Sequence, residues 1–349
     1  MSRMHQGAAR RTERGFTLIE LMVSLVLFSV AVAGVLSVAV TMSSAFRDQR
    51  SLVQTETATR SPMDYLADVL RNASPGVQTG VITDGYAPAA SAVCQNPKAI
   101  EVVDANVGTS PGPAAGTDTL DVIYASGAFF TYSHALWTPG TTLDVADPTG
   151  FANGDFVVLT DLTAGIVLHI QNVAGNTLTF FPPTCTTTVP GTGFANGSLL
   201  IRAMHAKFYV DALAVDGQPN LMMLVDPNNA PYTAGQPFAD GVADLQVALG
   251  IDNNLADGAI GPEVPMVANA DEWVYNATGE VQPNFPYALR SVRVTLIARN
   301  VNTNNSTNAT PTFNRPAAEN HLAAPINSDM FRRRILQSTV EIRNLEGSP

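Results

Sequence analysis

The sequence has little charge and almost no cysteine. Only 14% of its 349 residues are charged, and two are cysteines, Cys94 and Cys185. Nineteen lysines and arginines against thirty aspartates and glutamates leave a formal net charge of −11. A chain this acidic repels nucleic-acid phosphate, so no nucleic-acid partner is expected. Catalytic patterns are also scarce. His5, His134, His169, His205 and His321 never form H-E-x-x-H, and G-x-x-x-x-G-K-[ST] does not occur. His169 and His205 fall in or near strand-like runs and read as core or surface side chains. Asp155 and Asp161 would need a shared cleft to act as an acid/base pair, and nothing in the sequence provides one. No catalytic residue is assigned, and an enzyme is not expected.

What the sequence does have is one long apolar run. Phe16 to Met42 spans 27 residues with a single formal charge, Glu20. At roughly 1.5 Å per residue a helix of that length reaches about 40 Å, more than the roughly 30 Å hydrocarbon core of a bilayer. Arg3, Arg10, Arg11 and Arg14 precede it against Glu13, so Met1–Gly15 should stay in the cytoplasm and the rest be exported. The run is too long for an ordinary secretory signal, and no convincing A-x-A site follows it. A plain signal anchor explains the length and the orientation but not Glu20. A carboxylate in a spanning helix costs about 2.5 to 3.5 kcal/mol and usually has a partner.

The string Gly15-Phe16-Thr17-Leu18-Ile19-Glu20-Leu21-Met22-Val23 resembles the class III signal of type IV prepilins and type II secretion pseudopilins. The resemblance implies that prepilin peptidase cuts between Gly15 and Phe16 and that the amine of Phe16 is N-methylated. It also implies that Glu20 neutralises that amine, within its own chain or on a neighbour, as the helix joins a filament core. Losing the net +3 of Met1–Gly15 would leave a mature chain of net −14.

Beyond Arg47-Asp48-Gln49-Arg50 the helix turns amphipathic: Met63, Leu66, Leu70 and Ala73 recur three and four apart, while Asp64, Asp68 and Arg71 take other faces. Pro62 removes a backbone donor and predicts a kink or break near Ser61. From about Val77 only short β-branched runs follow. Strands are expected at 119–126, 155–161, 165–173, 176–181, 206–211, 221–226, 244–252, 291–300 and 334–344. The expected fold is α+β, pilin-like, with a long N-terminal helix packed on an antiparallel β-sheet and a small inserted β subdomain at about 141–183. Its parts would be a leader (1–15), a transmembrane and filament-core helix (16–42), an amphipathic helix (43–74) and a periplasmic β-rich domain (75–349).

Further stretches resemble PilW-like minor type IV pilins: Met63–Ala73, Gly154–Val173, Val242–Asp252 and Arg332–Asn344. The resemblance implies a filament subunit held in the bacterial inner membrane and later carried to the pilus surface. It would take part in priming pilus assembly, sit at the tip, and support twitching motility and adhesion. Its partners would be prepilin peptidase, other minor pilins, the major pilin, the inner-membrane assembly platform and the lipid bilayer. A large minor pseudopilin of type II secretion and a tip adhesin are the alternatives.

Relatives often continue into an Asp-Gly-Asp-rich loop, whereas this chain reads Ile251 to Glu263 as "IDNNLADGAIGPE". An EF-hand register starting at Asp252 fails, because positions 5 and 6 are Ala256 and Asp257. Asp252, Asn254 and Asp257 could hold calcium only in an irregular loop, and a solvated turn is the preferred reading; no cofactor is otherwise expected. Cys94 and Cys185 are expected to form a disulfide in an oxidising compartment, the alternative being two buried free thiols. Arg332, Arg333 and Arg334 read as protection for a strand start. Asn300–His321, rich in Asn and Thr, reads as a mobile surface loop.

Overall fold

A computed structural model describes residues 17–104, 111–215, 217–226, 232–252, 259–264, 267–277, 279–283, 289–299, 315–321, 331, 333–343 and 345. The chain divides into two compact units, Met1–Leu52 and Val53–Pro349. Helix α1 (Leu18–Arg71) begins in the first and ends in the second.

Of the kink or break expected near Ser61, the break does not occur: the helix runs without interruption through Pro62. Proline forfeits one hydrogen bond there, but Pro62 is itself buried and the turns after it are held by packing. Met63, Leu66, Ala67, Val69, Leu70 and Ala73 all enter the main core, while Asp64, Asp68 and Arg71 stay exposed. Arg60 and Arg71 pair with Glu56 and Asp68 on the solvent side at 2.6 and 2.9 Å. The chain then reverses at Ser74, whose φ of 55° is left-handed. Ser74 is held there by its buried hydroxyl, which donates to the Val77 carbonyl at 2.5 Å, and by its N–H, which donates to the Ile123 carbonyl at 2.9 Å.

The remaining elements are β1 (Ile82–Asp84), a one-turn helix α2 (Ala92–Gln95), β2 (Ile100–Asp104), β3 (Asp118–Tyr132), β4 (Thr142–Asp144), β5 (Phe156–Thr160) and β6 (Gly165–Ala174). They continue with β7 (Thr177–Phe180), β8 (Leu199–Val215), β9 (Gln218–Val225), β10 (Gln236–Asp240), β11 (Val242–Ile251), β12 (Trp273–Val274), β13 (Leu289–Arg299) and β14 (Arg333–Glu341). The fold is α+β with a long N-terminal helix and largely antiparallel sheets. Two details depart from expectation. α2 interrupts the run of strands, and β1 pairs with β6 in parallel.

The first sheet has ten strands and branches at β8. Strand β3 lies along one side of β8, from Leu199 to Phe208. The other side is shared, by β5 over Leu199–Ala203 and by β9 from Ala206 onward. A 17-residue strand is long enough to serve two neighbours in succession. The β5 branch continues through β6 and β7 to β4, the strands anticipated as an inserted subdomain. They are hydrogen-bonded into this sheet through β5 yet surround a core of their own that includes Trp137, Leu159, Leu168, Phe180 and Phe194. The second sheet runs β12-β11-β13-β14. Its inner face, with β3, β8 and the end of α1, encloses the main core.

Candidate membrane-assembly site

Leu18–Arg47 is the one helical stretch among the described residues long and apolar enough to cross a membrane. Its apolar side chains are not buried: Leu18, Phe28, Val35 and Val40 are all exposed. Leaving so much apolar surface uncovered makes sense only where lipid or other helices cover it. Four hydroxyl groups within the run are satisfied locally. Ser24, Ser29, Thr41 and Ser44 donate to the carbonyls of Glu20, Val26, Ser37 and Thr41 at 2.6, 2.8, 2.9 and 2.8 Å. In hydrocarbon an unmade hydrogen bond costs several kcal/mol, so this back-bonding suits a spanning helix.

The structure gives Glu20 a local role beyond the one its place in the apolar run implies. Thr17, just before the helix, accepts the Glu20 N–H on its Oγ1 at 3.4 Å and on its carbonyl at 3.1 Å. Thr-Leu-Ile-Glu thus has the residue types and spacing of a capping box, and Glu20 places negative charge in the first turn, where the helix dipole favours it. The signal was present in the sequence as [ST]-x-x-[DE] before an apolar run. Gly15 and Phe16 lie outside the described residues.

In the second unit the other candidates are scattered. Cys94, on α2, and Cys185 form a disulfide with Cα atoms 5.8 Å apart, closing a separation of 91 residues. Asp252 is buried and accepts from Arg290 at 3.2 Å; Asn254 and Asp257 lie outside the described residues. Asp155 pairs with Arg202 at 3.0 Å, while Asp161, at the other end of β5, accepts the N–H groups of Thr163 and Ala164 at 3.0 and 2.9 Å. Each carboxylate is engaged in its own turn. His134 is exposed, His169 stacks on Phe156 with centroids 4.4 Å apart, and His5 lies outside the described residues. One string matches the G-x-S-x-G nucleophile pattern, Gly108-Thr109-Ser110-Pro111-Gly112. That motif needs a helix after its turn, and here the next element is strand β3.

Three buried ionic networks escaped sequence reasoning. His205 on β8 is 4% exposed and lies between Asp84 of β1, 3.0 Å from Nδ1, and Asp121 of β3, 2.5 Å from Nε2. Burial works to depress its pKa, but the two carboxylates, Asp121 foremost, overcome this and raise it to about 10. Burial also works against ionisation of Asp121; His205, with Lys207 at 3.3 Å, holds its pKa below the usual carboxylate value. In the second sheet Arg293 makes two bonds to Glu319, at 2.9 and 2.5 Å, and one to Glu263 at 2.5 Å. Arg315 and His321 both reach the buried Asp244 at 2.8 Å. The 315–321 end of the Asn/Thr-rich stretch is therefore tied down, which corrects the expectation of a mobile loop there. Arg315 and Glu319 supply counter-charges that buried Asp244 and Arg293 require. Residues 300–314 lie outside the described residues.

The type IV pilus-assembly protein W family model matches residues 207–344, which runs from within β8 through β14. The prokaryotic N-terminal methylation motif matches residues 10–36, the leader end and most of the apolar run. No curated protein and no solved structure matches the chain. An apolar N-terminal helix behind a methylation motif, followed by a β-rich unit, defines a type IV prepilin-like protein. Within that class residues 207–344 are PilW-like, which supports a minor pilin associated with the type IV pilus. Both matches point to a structural pilin-type protein, not to an enzyme family, and to dealings with pilus components and the processing peptidase.

Proposed function

We propose that this minor pilin primes assembly of the type IV pilus and sits at its tip, from which it supports twitching motility and adhesion. Prepilin peptidase cuts between Gly15 and Phe16, and Phe16 is N-methylated. The apolar helix waits in the inner membrane with the β unit in the periplasm, then moves through the assembly platform into the filament core among other minor pilins and the major pilin. Glu20 neutralises the cationic amine of Phe16 as the helix leaves lipid. The observation that carries this reading is Glu20 itself, an exposed carboxylate in the first turn of an otherwise apolar and uncovered helix. Breaking a buried ion pair costs about 3 to 5 kcal/mol, enough to hold subunits in register.

The test is deletion of the gene with complementation by wild type and by Glu20→Ala, scoring surface pili and twitching beside type II secretion. Pili should be lost and secretion kept, with rescue by wild type alone. Intact pili with failed secretion would make the protein a pseudopilin of the secretion system. Intact pili and intact secretion would leave adhesion as its role.

A further inference from the structure

A cleft of about 580 Å³ opens in the second unit among the end of β2, the approach to β3, the 275–281 segment and the turn at 320–321. Its wall includes Asp104, Glu280, Tyr275 and His321, together with Val103 and Val281, which are exposed. Among the described residues no side chain pairs with the Asp104 carboxylate. Glu280 accepts the backbone N–H groups of Asn269, Asn276 and Ala277 at 3.1, 3.2 and 3.3 Å. Arg315 and His321, the nearby basic groups, are held by buried Asp244 at 2.8 Å. Asp118 stands directly opposite Asp104 in the β2–β3 ladder, so the two side chains project from the same face. Asp118 is fully buried; its Oδ2 accepts the Val247 N–H at 2.7 Å, and its Oδ1 has no partner among the described residues. Gln246 donates to the carbonyl of Gly116, in the cleft wall, at 2.9 Å, and leaves a second buried acceptor, Oε1, without a partner among those residues. Burial drives the Asp118 pKa well above the usual carboxylate value, with Asp104, Asp244 and Glu319 adding to the rise, and burial also raises that of Asp104.

Two carboxyl groups face to face destabilise a sheet, and buried acceptors without donors are costly. A cation answers both. We propose that this cleft binds an organic cation of the alkylammonium or guanidinium class, its charged head on Asp104 above Asp118 and its hydrocarbon stem against Tyr275, Val103 and Val281. A bare metal ion does not suit the site, because among the described residues no group of three His, Cys, Asp or Glu side chains can hold one. The volume also favours an organic ligand, since small-molecule pockets run from about 300 to 1,000 Å³. Tyr275 is fixed in the wall by its hydroxyl, which accepts the Gln282 N–H at 3.1 Å. The two exposed valines give a stem an apolar contact while the head stays with the carboxylates. Either a free amine or a lysine or arginine side chain of another protein carries this chemistry. The site is independent of the role of Glu20.

The test titrates the full-length chain in detergent with butylammonium at constant ionic strength, followed by calorimetry, with butyrate and butanol as probes of equal length and different charge. Butylammonium should bind saturably, and the other two should not. Asp104→Asn should weaken binding at least tenfold, whereas Asp64→Asn, at an exposed position on α1, should leave it unchanged. Val281→Lys offers a second variant at an exposed position, where folding is not at stake; its tethered ammonium should compete with the probe and weaken binding to a similar degree. Nα-acetyl-lysine methylamide, whose one charge is its side-chain ammonium, separates the two sources. Binding as tight as that of butylammonium assigns the cleft to a protein side chain, and binding at least tenfold weaker assigns it to a free amine. No saturable binding of butylammonium, equal binding of butyrate, or an affinity that Asp104→Asn and Val281→Lys both leave unchanged would each overturn the proposal.

Discussion

Removing the His205 side chain should destabilise the β unit severely, and in a way that depends on pH. The ring is enclosed by β1, β3 and β8 and is the shared partner of Asp84 and Asp121. In His205→Ala, Asp121 keeps Lys207, and Asp84 keeps the Tyr86 N–H at 2.9 Å. Both carboxylates remain buried with less positive charge near them. Breaking a buried pair in this manner costs about 3 to 5 kcal/mol. The titration supports the same scale. A histidine whose pKa is 6.5 unfolded and about 10 folded contributes about 5 kcal/mol, at roughly 1.4 kcal/mol per pH unit. Because the folded value is the higher, that stability is fully present below pH 6.5 and is lost as the pH rises through 10. Urea unfolding followed by the fluorescence of buried Trp137 and Trp273 would measure it. Wild type should lose several kcal/mol between pH 6.5 and 10, and the difference from His205→Ala should shrink over the same window. A variant less than 1 kcal/mol weaker at pH 6.5, or a difference constant across the window, would refute the reasoning.

Replacing Cys94 and Cys185 together by serine should cost about 4 kcal/mol, since the bridge closes a long loop, and reductant should then have no further effect on urea unfolding. Leu70→Ala, at a fully buried position in the main core, should lower the stability of the β unit by about 2 to 5 kcal/mol in the same assay. Leu25→Ala, at an exposed position in the apolar run, should leave that transition in place. Equal effects from the two leucines would contradict the division of the chain into separate units.

Much of the fold was legible because it is written in local period. The expected strand at 165–173 appears as β6 and that at 244–252 as β11, each within about two residues at either end. The spacing of Met63, Leu66, Leu70 and Ala73 marked the face of α1 that the core buries. Elements too short or too polar to show a period were missed. β1 and β4 have three residues each, β12 has two, and β10 is built from Gln-Pro-Phe-Ala-Asp. Pro62 did not end the helix, because propensity rules count the lost hydrogen bond and not the packing gained by the buried turns around it.

The sequence by itself determined the long apolar run, the capping pattern around Glu20 and the α+β class, because each depends on neighbours within a few residues. Only the tertiary structure decided which distant groups meet. Asp84 and His205 are 121 residues apart, and Gln246 and Gly116, which share a hydrogen bond, are 130 apart. Nothing in the spacing of such residues specifies their pairing, since chain separation carries no information about distance in the fold. The branching of the first sheet at β8 and the outward edge of β14 are likewise properties of strand order, which exists only once the strands have paired.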